Sequence, residues 1–166
     1  EDREHALNLE ADSDVVTRSL LMFRLGEEWL GLATRCLLEV APLQEIHSLP
    51  HQRSRALLGV ANVRGALVAC LSLTELLGLD GTPVVAAAGR VMPRMLIIGA
   101  EGGPVVVPVD EVHGIHAIDE RLLNGASLSG EQANAKYTRG VLQWQGRSLR
   151  LLDEEQLLLA VTRSLT

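Results

Sequence analysis

Residues 59–77 (GVANVRGALVACLSLTELL) and 140–158 (GVLQWQGRSLRLLDEEQLL) are two versions of one segment. Aligned without a gap, Gly59 meets Gly140, Val60 meets Val141, Asn62 meets Gln143 and Gly65 meets Gly146. Val68 meets Leu149, Leu71 meets Leu152, and Leu76-Leu77 meet Leu157-Leu158. A weaker echo lies upstream of each copy, between SLLMFRLGEEWLGLA at 19–33 and RMLIIGAEGGPVVVP at 94–108. Repetition on this scale implies two related structural units. Matched positions are expected to hold the frame, and mismatched ones to be free for function.

Each echo reads as an apolar strand, a charged or Gly-rich turn and a second apolar strand. Strands are predicted at 19–25 and 29–33, at 60–63 and 67–73 about Arg64-Gly65, at 95–99 and 105–109, at 112–118, and at 137–144 and 148–152 about Gln145-Gly146. Residues 34–38 suit one helical turn, and 39–49 an extended segment. Residues 51–58 read as a charged connector, 79–93 as a surface link rich in Gly, Ala and Pro, and 124–134 as a loop. Ser72-x-x-Glu75 and Asp153-x-x-Gln156 fall at the same place in the two copies. Both have the form of a capping box, in which a short side chain accepts from the first free N–H groups of a helix. The first helix should stop at Gly78 and the second run to about Leu165, with Leu157, Leu158, Val161 and Leu165 at helical spacing.

Many short strands with Gly turns and little helix indicate barrels or sandwiches. Val105-Val106-Val107 is apolar at every position, so both of its faces must be buried. Two small barrels of five strands, packed together with a groove between them, would meet that need. The chain has 166 residues, 47% of them hydrophobic, enough for a real core. Its rings are only Phe23, Trp29, Tyr137 and Trp144, so that core must be aliphatic.

Several function classes are disfavoured. The formal net charge is −6, Lys136 is the one lysine, and the arginines are scattered, which does not suit a phosphate-binding face. So few rings also argue against base stacking. Cys36 and Cys70 lie in apolar runs without a CxxC pair and read as buried thiols. No apolar run reaches the ~18 residues of a membrane span, and the polar, acidic start does not look like a signal peptide. The expected compartment is the cytoplasm. No nucleophile elbow, phosphate loop or cofactor motif is present. His113-Gly114-Ile115-His116 has the look of a metal motif, but residues three apart on a flat strand face opposite sides. No metal and no cofactor is expected, and Asp110-Glu111 reads as a strand end entering solvent. Nothing indicates an enzyme.

The sharpest mismatch between the copies is Arg64 opposite Gln145. An Arg at a tight turn is either simply solvated or an interface anchor, because its planar fork makes several bonds at once. A second mismatch sets Leu37-Leu38-Glu39-Val40 against Val112-His113-Gly114-Ile115.

From residue 19 to residue 161 the chain resembles the CheW-like chemotaxis coupling proteins. The segments that carry the resemblance are FRLGEEWLGL from Phe23, LLEV from Leu37, LLGVANVRGALVACLSLTELLG from Leu57, VVVPVDEVHGI from Val105 and YTRGVLQWQGRSLRLLDEEQLL from Tyr137. The motif G-V-x-N-x-R-G, followed by an apolar strand and a capped Leu pair, is the most specific. The resemblance implies a mainly β fold: two SH3-like five-stranded barrels packed together, with short helices and a C-terminal helix. It implies a polar lead-in over 1–17 and a CheW-like domain over 18–166. The first barrel would span about 34–93 and the second about 18–33 plus 94–152, with strand exchange possible and a closing helix over 153–165.

The resemblance also implies a non-enzymatic adaptor between the cytoplasmic tips of methyl-accepting chemoreceptors and a CheA-type histidine kinase, located at membrane-anchored receptor arrays. Arg64, with Asn62 and Gly65 of its turn, falls where the family contacts a partner, and Leu37 and Glu39 where it lines a receptor-binding groove. The strand after the motif departs from the family: Val68-Ala69-Cys70-Leu71-Ser72-Leu73 lacks the usual Pro and Asp. The acidic lead-in and the strings HSLPH and VHGIH are similar to a Wsp-type surface-sensing branch, whose output is a diguanylate cyclase. Two other readings stay open: a CheW-like module of a larger kinase or CheV-like hybrid, and a small-ligand sensor using the groove between the barrels.

Overall fold

The computed structural model describes residues 17–50, 54–79, 92–119, 121 and 137–165. Nearly all of the lead-in, most of the 79–93 link and the 124–134 loop lie outside the described residues.

The first half contributes β1 (Thr17–Leu25), β2 (Glu28–Ala33), a 3-10 turn (Thr34–Cys36), β3 (Leu37–Pro42), β4 (Ile46–His47), β5 (Leu57–Val63), β6 (Ala66–Leu71) and helix α1 (Leu73–Leu77). The second half contributes β7 (Arg94–Ala100), β8 (Gly103–Val109), β9 (Glu111–Asp119), β10 (Thr138–Trp144), β11 (Arg147–Leu152) and helix α2 (Glu154–Leu165). The elements repeat in order: hairpin, single strand, hairpin, helix.

The strands form two sheets, ordered β10-β11-β2-β1-β9 and β3-β7-β8-β6-β5-β4. Setting aside the short β4, the two orders are the same once equivalent strands are matched. Each sheet takes a single strand and a closing hairpin from one half, and the leading hairpin from the other. The halves have exchanged their leading hairpins. Two parallel pairings make the exchange, β11 with β2 at Leu151↔Gly31 and β6 with β8 at Cys70↔Val106. The sequence places residues 94–109 with the second barrel, strand exchange being possible, and these strands lie between β3 and β6 in the six-stranded sheet. The echo tells which hairpins are equivalent. It carries no information on which sheet either one enters, because that depends on pairing far along the chain.

The equivalence extends to the irregularities. Bulges fall between Leu37 and Glu39 in β3, and opposite Met22/Phe23 in β9, where His113 is the extra residue. A second matched pair lies between Leu57 and Gly59 and between Thr138 and Gly140. The closing hairpins turn in the same way: Arg64 and Gln145 both have positive φ, 52° and 49°, followed by Gly65 and Gly146 at 87° and 75°. Positive φ at both central residues is the type I′ pattern, whose twist suits a two-residue hairpin. Gly59 is required for a different reason, since a Cβ there would lie 2.1 Å from the carbonyl oxygen of His47 in the crossing β4.

Three apolar clusters hold the sheets. One fills the first barrel (Ala61, Val68, Cys70, Met95, Ile97, Val106) and one the second (Leu20, Met22, Ala33, Leu142, Leu149, Leu151). The third and largest lies between them and includes Leu21, Phe23, Leu25, Leu71, Leu96, Ile98, Val105, Val107, Leu152 and Leu157. Alternation on a strand sends neighbours to opposite faces, so Val106 enters the first barrel while Val105 and Val107 enter the shared layer. This is why these strands are apolar at every position. Each fully buried Leu or Val contributes roughly 1.5–3 kcal/mol, and the shared layer binds the barrels into one body.

Both helices cover this layer. Ser72 Oγ accepts from the Glu75 N–H at 3.2 Å, and Asp153 Oδ1 accepts from Glu155 and Gln156 N–H at 3.1 and 3.2 Å. α1 ends at Gly78, whose left-handed φ of 69° lets the last carbonyls be capped. α2 begins on a buried charge: Glu154 accepts from Arg18 Nη1 at 3.0 Å and also pairs with Arg35. Its counterpart in α1 is the apolar Leu73, which is also buried.

Candidate functional site

The β5–β6 turn stands at an edge of the first barrel. Asn62 Oδ1 accepts from the Gly65 N–H at 2.8 Å, so the Asn holds the turn from which Arg64 projects. The Arg64 side chain is 81% exposed and its Nη2 lies 2.5 Å from Glu39 Oε1 on β3. An ion pair this exposed contributes about 0–1 kcal/mol to stability. Its consequence is positional: it sets the guanidinium beside Glu39 while most of the side chain stays exposed.

Four of the five residues singled out in the sequence thus form one corner: Asn62, Arg64, Gly65 and Glu39. Leu37 does not join its surface, because it packs on the shared core. The bulge instead turns its neighbour outward, and Leu38 is 63% exposed. Leu67, at the start of β6, is 69% exposed. Sequence reasoning missed both leucines. Bulges at equivalent positions in the two copies would have revealed Leu38, but a bulge leaves no local signature in composition.

In the second barrel the same corner is built from other side chains. Gln145 replaces Arg64, and Gly114 replaces Glu39. Gln143, the counterpart of Asn62, donates to Ser148 Oγ at 3.1 Å. The expectation that His113 and His116 face opposite sides is overturned: His113 Nδ1 lies 3.1 Å from His116 Nε2. The bulge at His113 and the positive φ of Gly114 (133°) supply the bend that a flat strand lacks. Both rings pack on Trp144.

Asp110-Glu111 is a tie rather than a free strand end. Asp110 Oδ2 accepts from the Gly26 N–H at 2.6 Å and Glu111 Oε1 accepts from Arg24 Nε at 3.0 Å, pinning the β1–β2 turn to the β8–β9 junction. Cys36 and Cys70 are buried free thiols. Burial pushes the Cys70 thiol up to about 12 and raises Cys36 as well, with the Arg35 and Arg18 charges partly opposing the latter. Among the described residues no group of three or more His, Cys, Asp or Glu side chains is placed to hold a metal ion. No described helix is long and apolar enough to cross a membrane.

An open groove of about 390 Å³ lies where the two halves meet on the helical side. Ser54, Arg55, Glu75 and Leu76 line it from the first half, and Tyr137 and Arg163 from the second. Its polar groups belong to an open cleft and do not converge on an enclosed point.

This doubly wound pair of barrels matches a known architecture. The structure is similar to the crystal structure of the scaffolding protein TtCheW from Thermoanaerobacter tengcongensis, with a TM-score of 0.68 at 20% identity, covering 83% of this chain and 85% of that one. The family model of the CheW-like domain matches residues 19–161. The chain therefore belongs to the CheW-like domain family. Among curated relatives it is 25% identical over 142 residues to a probable chemotaxis protein CheW of Rhizobium etli, covering 84% of this chain and 86% of that protein. It is 24% identical over 136 residues to the chemotaxis protein CheW of Rhizobium meliloti, covering 82% and 84%.

Proposed function

We propose that this chain is a non-enzymatic coupling adaptor that links the cytoplasmic tip of a methyl-accepting chemoreceptor to a CheA-type histidine kinase, at membrane-anchored receptor arrays. Family membership supports the adaptor class. The single observation that carries the site is the asymmetry of two otherwise equivalent corners. The frame repeats down to its bulges and turn angles, yet only the first corner carries an arginine at the turn itself, Arg64, paired with Glu39 and largely exposed, where the second has Gln145. An exposed arginine fork on a rigid turn is suited to be an interface anchor. The turn is held by backbone geometry and Asn62, which sets the point from which Arg64 projects.

The test is binding of purified receptor-tip and kinase fragments to Arg64→Gln, which copies the residue of the other corner. Affinity for at least one partner is expected to fall about tenfold, roughly 1.4 kcal/mol, with the melting temperature nearly unchanged. Gln145→Ala should leave both affinities as they are. Unchanged affinity of Arg64→Gln for both partners would remove this corner from the interface.

A further inference from the structure

The second corner has a feature that the adaptor role does not use. His113 is the extra residue of the β9 bulge, and Gly114 at φ 133° turns the strand so that the rings of His113 and His116 meet. Their facing nitrogens, Nδ1 and Nε2, are 3.1 Å apart. Two imidazole nitrogens bound at about 2.0–2.1 Å to a tetrahedral ion stand roughly 3.3 Å apart. The facing nitrogens thus stand at nearly the spacing of a chelate, and a small rotation of the rings would turn both toward one ion beside the line that joins them. Without an ion one N–H···N hydrogen bond joins the pair; a cation would take the tautomers in which both facing nitrogens are bare and each ring carries its hydrogen on the remote nitrogen.

The rings are held in this arrangement. Trp144 meets His113 edge-on at 4.6 Å and 89°, and His116 at 5.4 Å and 63°. Trp29 lies 6.2 Å from His113 and stacks obliquely on Trp144 at 5.7 Å. The nearby Arg147 guanidinium sits 4.6 Å over the Trp29 ring, one ring removed from the pair. His113 is exposed and His116 half-buried, so an ion has access from solvent. The fold does not demand these residues. Their counterparts in the first barrel are Leu38 and Ala41, on the same bulge, with no ring in place.

We propose that His113 and His116 form a two-point chelate for a borderline divalent transition cation, with water in the remaining positions. Imidazole ligands select Cu²⁺, Ni²⁺ or Zn²⁺ over Mg²⁺ and Ca²⁺, which prefer oxygen, and Cu²⁺ should bind tightest. An ion here would tie the bulge residue His113 to His116 within β9, where both rings lie against Trp144 of β10.

The chain has two tryptophans and both lie in this cluster, so its tryptophan emission reports on the site. Titrating the full chain with Cu²⁺ or Ni²⁺ is expected to quench that emission saturably, with one ion per chain by calorimetry and reversal by EDTA. Zn²⁺ should compete, and Mg²⁺ should not. His113→Leu and His116→Ala install the first barrel's residues and should each fold with an unchanged circular dichroism spectrum but bind at least tenfold more weakly. His47→Ala, on an exposed strand of the first barrel, should bind as the parent does. Absence of saturable quenching would overturn the proposal. So would unchanged affinity in both corner variants, which would place the ion on other histidines.

Discussion

The two barrels present the same corner in two chemistries. In the first, the bulged residue is Leu38, the next residue Glu39 reaches across to Arg64, and the turn projects a cation into solvent. In the second, the bulged residue is His113, the next residue is Gly114, the turn carries Gln145, and two indoles and two imidazoles fill the space. The backbones share both closing turns, each with a non-glycine residue at positive φ, and the bulge at the matched step, and differ after it, where Gly114 takes φ 133° and Glu39 does not. The strain belongs to the frame, therefore, and says nothing of function at either site. What distinguishes the corners is what hangs on them. A duplicated scaffold needs its bulge and its left-handed turn twice, but it needs a partner contact only once.

The comparison is tested first at the core that both barrels share. Phe23 and its counterpart Ile98 are fully buried in the layer between the barrels. Phe23→Ala should cost about 3–5 kcal/mol and Ile98→Ala about 2–5. Urea unfolding followed by tryptophan emission and by circular dichroism should show one coincident transition in each variant. Two separate transitions would show that the barrels are independent units.

The next effect concerns the helix starts, where Glu154 stands in place of Leu73. Glu154→Ala removes the buried carboxylate that Arg18 and Arg35 share and should cost about 1.5–3 kcal/mol, read from urea unfolding. The double change Arg18→Leu with Glu154→Leu makes the second helix start apolar like the first and should recover most of that loss. Failure to recover would mean that the buried charge is needed by the second barrel alone. Smaller still are the caps. Ser72→Ala and Asp153→Ala should each cost about 1 kcal/mol. Asp153 should cost more, because it accepts from two N–H groups where Ser72 accepts from one.

The smallest effect lies inside the barrels, where Cys70 matches Leu151. A thiol raised from 9.0 to about 12 stays protonated in the folded chain while the unfolded chain ionises. Its contribution to stability is therefore full below pH 9 and declines as pH rises from about 9 toward 12. At pH 8 Cys70 should resist iodoacetamide in the native protein and react once the chain is unfolded. Native labelling at the unfolded rate would show that the first barrel is the looser of the two.

Much of this frame is legible in the sequence. The gapless match of Gly59–Leu77 with Gly140–Leu158 carries the hairpin turns, the caps and the helix starts, because each is governed by residues a few positions apart. The unbroken apolar run Val105-Val106-Val107 reveals burial on both faces. At the candidate site the motif residues Asn62, Arg64 and Gly65 could be named, since a tight turn is a local object. Glu39 could be named too, though its contact with Arg64 could not. That contact depends on β3 coming beside the β5–β6 turn, although these strands are not neighbours in the six-stranded sheet. The histidine pair was misread for a similar reason: period-two alternation holds only on an unbulged strand, and the bulge is imposed by pairing with β1.

The sequence by itself determined two equivalent halves, their strands and turns, an aliphatic core and the singular arginine. Only the tertiary structure decided that the halves trade leading hairpins, that Glu154 is buried between two arginines, and which side chains meet at each corner. The division follows from range. Turn chemistry, capping and burial periodicity act over a handful of residues and are written in the local pattern. Sheet membership is settled by parallel pairings such as Cys70 with Val106 and Leu151 with Gly31, between segments whose own composition would suit either barrel.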